Sequence, residues 1–273
     1  MKIYRISKAD YSDFDRLIES YSHLNKYGFQ TAILGRTYED YPIYLICPKV
    51  LKSNLPCVMI GTGAHGEEKA GPWGLASYVE KMPLDILNHV NLSFLPDINP
   101  TGLVHETRYN IENEVTNSVI DEENPNRFKG LSKETKIIVQ HKDLIKKLSK
   151  DLFITLHENN GLETFYLYAM CYDKEHYGIS NDLVTRLKEI MSKYYTCRAD
   201  GAYEETQLED AYEIKNGVVS NFHDGTLEDF IVRTMKNPIS ISTETPVEGT
   251  TVQQRIKTNA LIVNEVVNYF ASR

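Results

Sequence analysis

Cys57-Val58-Met59-Ile60-Gly61-Thr62-Gly63-Ala64-His65-Gly66-Glu67-Glu68 is a short apolar run that breaks into a loop of small residues carrying one imidazole and two carboxylates. The run reads as a buried strand, and glycines at 61, 63 and 66 allow a tight turn at its end. Such a turn lets His65 and Glu68 converge on one point from three residues apart. An imidazole nitrogen and a carboxylate together suit a zinc ion. Taken alone, His-x-x-Glu fits a glycine-rich turn with solvated charges equally well, so the rest of the chain has to decide.

The chain has 273 residues, 41% hydrophobic and 25% charged, which is the make-up of an ordinary soluble globular protein. Neither an internal repeat nor a composition break marks a second unit, so one domain is expected over 1–273. The net charge of −8 argues against nucleic acid as the main partner. The one lysine cluster, Lys142, Lys146, Lys147 and Lys150, reads as the solvated face of a helix. No apolar run approaches transmembrane length, and no membrane partner is expected. Met1 to Asp10 shows a basic start without an apolar stretch behind it, so the expected location is the cytoplasm. Cys47, Cys57, Cys171 and Cys197 form no Cys-x-x-Cys pair and read as reduced and mostly buried.

Apolar positions recur at helical spacing over residues 10–25, with Asp10 as the N-cap. Residues 31–36 and 42–47 are β-rich and separated by a polar turn, which predicts a hairpin. Pro72 suits the first position of a helix through Val79. Residues 91–96 form a strand that ends in the turn Asn99-Pro100-Thr101-Gly102, and residues 105–130 are a long functional loop. Ser132 caps a helix through Lys150; Leu152–Leu156 is a buried strand that delivers His157; Phe165–Tyr168 is another strand. Residues 180–194 are helical, and the acidic stretch 196–222 reads mainly as loops. A short helix follows Thr226, residues 239–243 form a strand ahead of Glu244, and Thr250 caps the last helix. This order predicts an α/β three-layer sandwich, a mixed and mainly parallel sheet flanked by helices.

Three strand ends therefore carry candidate groups: His65 with Glu68, His157, and Glu244. Sites in open α/β sheets form at strand ends. Two histidines and a glutamate make an open three-ligand zinc centre, with a position left for water or substrate. Zinc lowers the pKa of bound water to about 7 and needs a base beside it to accept the proton; Glu244 fits that role. Singly, His157 is equally a hydrogen-bonded core histidine and Glu244 a solvent-facing acid; the conjunction favours a catalytic metal.

The same residues carry a family resemblance. Leu34 to Ile43, Gly63-Ala64-His65-Gly66-Glu67-Glu68, Asn99-Pro100-Thr101-Gly102, Leu156-His157-Glu158 and Thr243-Glu244-Thr245-Pro246 resemble, in order, the successive motifs of the zinc metallocarboxypeptidases. The chain is especially similar to small bacterial members near the murein peptide amidases, in which the second histidine is followed by an acid and a Phe-Tyr-x-Tyr strand. The resemblance implies one Zn²⁺ per chain held by His65, Glu68 and His157, with Glu244 as general base and acid. It also implies that Arg108 steadies the oxyanion.

Two positions depart from the family pattern. The Asn-Arg pair that grips a substrate's terminal carboxylate falls on Asn117-Ser118, and serine offers no cationic fork. Either Arg127 or another cation reaches in, or the substrate presents no α-carboxylate there. The family's mobile tyrosine falls on Ser220, with Tyr212 the next tyrosine. Asp224 to Asp229 resembles the specificity segment, where Glu228 is expected to contact a cationic substrate group or, alternatively, to favour a helix N-terminus. The expected function is zinc-dependent hydrolysis of an amide bond in a small peptide, of carboxypeptidase or murein-peptide-amidase type. The alternatives are deacylation of an N-acyl amino acid, as in the succinylglutamate desuccinylase and aspartoacylase branch, and a catalytically silent peptide-binding relative.

Overall fold

The computed structural model describes residues 11–119, 131–203, 212–220 and 225–273. Helix α1 (Phe14–Glu19) leads into the hairpin of β1 (Phe29–Arg36) and β2 (Pro42–Pro48). Then come β3 (Cys57–Thr62), α2 (Ala70–Val79), β4 (Asn91–Leu95) and α3 (Pro100–His105). Helices α4 (Lys133–Gln140) and α5 (Lys142–Leu148) precede β5 (Leu152–Asn159), β6 (Thr164–Cys171) and α6 (Tyr177–Met191). Four short strands follow, β7 (Thr196–Cys197), β8 (Gly201–Tyr203), β9 (Tyr212–Lys215) and β10 (Val218–Ser220), and the chain closes with α7 (Leu227–Arg233), β11 (Ile239–Pro246) and α8 (Val252–Ala271).

One mixed sheet runs β1-β2-β4-β3-β5-β11-β6-β10-β9-β8, with β7 beside β6. Its centre, β4-β3-β5-β11, is parallel, and antiparallel pairs lie on both flanks. Parallel central strands are covered on both faces, which is why they read as continuous apolar runs rather than alternating ones. Alternation survives in the packing. Val58, Ile60, Leu152, Ile154 and Leu156 enter one core with Trp73 and Leu75 of α2 and Ile262 and Val266 of α8. Met59 and Phe153 enter the other, with Ile137 of α4, Ile145 of α5 and Ile231 of α7. Each fully buried Leu, Ile or Phe contributes about 1.5–3 kcal/mol, so two cores on one sheet hold the frame that the site depends on. Among the described residues no helix is long and apolar enough to cross a membrane. All four cysteines are free thiols; Cys47 and Cys57 are buried, and Cys171 and Cys197 are half-buried.

Several boundaries differ from expectation, each for a local reason. Asp10 lies outside the described residues, and α1 is capped by Asp13, whose carboxylate accepts from Arg16 N at 3.0 Å. Pro72 is the third residue of α2 rather than the first, still in the first turn where no intrahelical donor is needed. The Asn99 turn continues as α3: Pro100 occupies its first turn and the Asn99 side chain accepts from Gly102 N at 2.9 Å. The helix after Ser132 breaks at His141, whose ring bonds back to the Ile137 carbonyl at 2.9 Å. Thr251, not Thr250, caps α8. Within 196–222 the loop reading fails for β7 to β10, which are too short to show a period of two in the sequence and extend the sheet beyond β6. Glu204, Glu205, Glu209 and Asp210 lie outside the described residues.

Candidate metal centre

β3 ends at Thr62, and the loop that follows is pinned from three sides. Gly63 adopts φ +69°, and a Cβ there would lie 2.3 Å from Asp97 Oδ1, so only glycine fits. Ile98 N and Asn99 N donate to the carbonyls of Thr62 and Gly63 at 3.0 and 2.9 Å, and Thr116 Oγ1 donates to Ala64 O. Gly66 lies flat against α3: a Cβ would sit 1.9 Å from the backbone carbon of Gly102. His65 and Glu68 therefore occupy a rigid loop, both buried.

Alternation along β5 places Phe153, Thr155 and His157 on one face of the sheet and Leu156 on the other. β11 runs parallel beside it with Glu244 opposite His157, so their side chains share that face. His157 Nδ1 lies 3.0 Å from Glu68 Oε2, and His65 Nδ1 lies 2.6 Å from Glu68 Oε1. Among the described residues, these three form the one set of His, Cys, Asp or Glu side chains whose ligand atoms all lie within 4.8 Å of one another. Two imidazoles and a buried carboxylate with convergent donor atoms match the donor set of a divalent transition metal. Thus the sequence-expected ligands come together, although His157 and Glu244 lie within their strands rather than beyond them.

Electrostatics reinforce the cluster. Burial pushes the Glu68 carboxyl up, but the two imidazoles more than offset it and hold Glu68 well below the usual carboxylate range. For His157 burial pushes down while the Glu68 charge and a hydrogen bond to Glu228 outweigh it, so its pKa rises. Burial dominates at His65, whose pKa is lowered. Glu244, half-buried, is pushed up to about 8 by burial and the Glu68 charge, against the pull of His157 and Arg108. A carboxyl in that range is largely protonated at neutral pH, and a divalent cation bound beside it would draw the value back down.

Arg108 reaches the same point from α3. Glu106 ends that helix in the left-handed region (φ 58°), and Thr107 N bonds Gly102 O at 2.9 Å, which turns the chain back toward Glu68. Arg108 Nη1 then lies 3.4 Å from Glu68 Oε1 and 3.6 Å from Glu67 Oε1. Against the lowering effect of burial, the charges of Glu68, Glu67 and Glu244 raise its pKa. The guanidinium is a permanent cation at the rim, its side chain 39% exposed and open to a ligand.

Asn117 is buried, and its Oδ1 has no hydrogen-bond partner among the described residues. Its backbone carbonyl accepts from Leu227 N at 3.1 Å, and Ser118 bridges Thr226. Arg127 lies outside the described residues. Ser220 is the exposed end of β10, and Tyr212 starts β9.

In the structure Glu228 turns inward, toward the histidine cluster. It is 2% exposed, accepts from Thr155 Oγ1, and presents Oε1 to His157 Nε2 at 3.5 Å. The first turn of α7 carries it inward, because Thr226 caps the helix with its hydroxyl on Asp229 N and the apolar Leu227 and Ile231 face the core. The helix-terminus alternative is thus correct about position and silent about direction. Thr155 carries no sequence motif, and Glu158 entered the sequence reading only as the acid that follows the second histidine. Glu158 N donates to Glu68 Oε2 at 3.2 Å, and the Glu158 carboxylate accepts from Ala70 N at 2.7 Å and from Arg255 Nε. Spacing was the available signal: Thr155 is two residues before His157 on a strand and so shares its face.

With this geometry in place, comparison with solved structures is informative. A candidate metallopeptidase from Shewanella amazonensis is 30% identical over 96% of this chain and 95% of its own, with a TM-score of 0.83. The chain belongs to the zinc carboxypeptidase-like metallopeptidase family. A second candidate metallopeptidase, from Shewanella baltica, is 26% identical over 95% of this chain and 93% of its own, also at 0.83. A metallo-carboxypeptidase from Pseudomonas aeruginosa, solved with (2-guanidinoethylmercapto)succinic acid, is 16% identical over 93% of this chain and 67% of its own at 0.62, a likeness of fold. No protein-family model and no curated protein matches the sequence. Within the metallopeptidase family the convergence of His65, Glu68 and His157 supports a metal-dependent hydrolase.

Proposed function

We propose that this metallopeptidase is a zinc enzyme that hydrolyses an amide bond in a small peptide, with His65, Glu68 and His157 as ligands. The observation that carries the reading is the meeting of those three side chains with Glu244 and Arg108 on one face of the sheet. When bound, the metal would supply Lewis acidity to the scissile carbonyl and to a water. Glu244, beside His157 on the next strand, takes the proton as the water oxygen adds to the carbonyl carbon. It returns that proton to the nitrogen as the C–N bond breaks. Arg108 compensates the negative charge that develops on the carbonyl oxygen. Burial of the ligand set in a rigid loop and a strand keeps these groups fixed while the substrate binds.

Replacing Glu244 by Gln tests the assignment, because the amide keeps the shape and loses the base. Expected is loss of peptide hydrolysis with zinc still bound at one per chain; full activity in E244Q overturns the mechanism. A second reading, deacylation of N-acyl amino acids, draws support from Ser118, a residue that supplies no guanidinium at the position next to Asn117 expected to grip a terminal carboxylate. Relative turnover of short peptides and of N-acyl amino acids separates the two.

A further inference from the structure

Glu228 is a fully buried carboxylate that the hydrolytic scheme does not use. Its surroundings are built to hold it. Segment 117–119 pairs with 225–227 through Leu227 N to Asn117 O at 3.1 Å and Val119 N to Gly225 O at 2.6 Å, which fixes where α7 begins. The Thr226 cap fixes the direction of its first turn. Thr155 Oγ1 then donates to Glu228 Oε1, and the same oxygen faces His157 Nε2 at 3.5 Å. On the far side of that imidazole, Nδ1 points at Glu68 Oε2 from 3.0 Å.

An imidazole that ligates through Nδ1 must keep its proton on Nε2, and the proton needs an acceptor when the ring is buried. His157 is 3% exposed, so the acceptor has to come from the protein. His65 differs: among the described residues the hydrogen-bond partner of its ring is Glu68 alone. The anchoring is therefore asymmetric, concentrated on the histidine that lies in the strand next to Glu244.

We propose that Glu228, itself held by Thr155, is a positioning residue that binds Nε2–H of His157 and thereby presents Nδ1 to the metal. This inference rests on the metal-centre reading above. It gives α7 a task other than shaping a specificity pocket: its N-terminal turn delivers the outer carboxylate of a carboxylate–histidine–metal chain, an arrangement that fixes the tautomer and raises the basicity of the ligand.

The test is zinc affinity of the full-length protein by chelator competition, together with the visible spectrum of the Co²⁺-loaded protein, for wild type, H157A, E228Q and T155V. Expected is a 10- to 100-fold weaker zinc complex in E228Q, with an altered Co²⁺ band, and a smaller change in the same direction in T155V. Wild-type affinity and spectrum in folded E228Q, with H157A impaired, overturn the positioning role and leave the metal centre intact. A lowered unfolding temperature in E228Q with unchanged zinc affinity does the same, because it assigns Glu228 to packing alone. Equal and weak binding by wild type and H157A overturns the metal-centre reading itself. Should E228Q not fold, T155V decides, and unchanged affinity there refutes the proposal.

Discussion

Adding one methyl group at Gly66 should cost more than most core deletions. A Cβ there would lie 1.9 Å from Gly102 C, 2.3 Å from Gly102 Cα and 2.3 Å from Leu103 N, all backbone atoms. Ordinary carbon contacts sit at about 3.5–4.0 Å, so loop and helix must separate by roughly 1.5–2 Å. α3 cannot retreat freely, because Gly102 N is bound by the Asn99 side chain at 2.9 Å and Asn99 N by Gly63 O at 2.9 Å. Overpacking costs about 1–3 kcal/mol, and each sacrificed hydrogen bond about 1 kcal/mol more, for a total of roughly 3–5 kcal/mol. At about 2–4 °C per kcal/mol for a chain of this size, G66A should unfold on the order of 10 °C below wild type. A functional site tolerates only about 0.5 Å of misplacement, so zinc occupancy should fall as well. G178A is the control: it lies in the first turn of α6 with no atom within 4 Å of a new Cβ. Circular dichroism melts and metal analysis of both variants suffice. If G66A melts within about 2 °C of wild type and binds metal normally, the claimed interlock between the loop and α3 is wrong.

Asp97 is buried with Oδ2 unpartnered, and burial raises its carboxyl pKa well above the ordinary value. The folded state thus keeps a proton that the unfolded chain releases near pH 3.9, so stability falls as pH rises from that value through the folded pKa. D97N, which preserves the Oδ1 bond from Asn99 N at 3.0 Å, should be more stable than wild type at pH 7 and no more stable near pH 3. Urea unfolding at several pH values checks this, and a pH-independent difference refutes it. For Arg108, removal of a guanidinium that acts on developing charge should lower kcat about 10²–10³-fold with little change in KM. Steady-state kinetics of R108A would contradict the oxyanion role if KM alone changed.

The frame and the residues that converge at the candidate centre were legible because the chemistry-bearing residues follow apolar runs whose burial is unambiguous: Val58 to Ile60, Leu152 to Leu156, Ile239 to Thr243. What escaped depends on contacts between distant segments. Glu228 looked like a pocket acid because Asp224 to Asp229 resembles the family's specificity segment, and nothing local says that its carboxylate meets Thr155, 73 residues earlier. The extension of Asn99-Pro100-Thr101-Gly102 into α3 was hidden by turn-forming residues that equally suit a helix start. β7 to β10 were hidden by strand lengths of two to four residues, too few for any period to register.

The pairing of His157 with Glu244 across β5 and β11 sets the spacing of the proposed ligand and base by the rung of a parallel ladder, about 4.8 Å, instead of by the shape of a loop. A slip of one residue would send Glu244 to the α8 side, where apolar packing forbids it. The geometry of the proposed proton transfer is consequently insulated from the surface. Insertions, deletions and sequence drift in the connecting segments can reshape the approach to the cluster, while the distance between these two side-chain positions stays locked in the backbone.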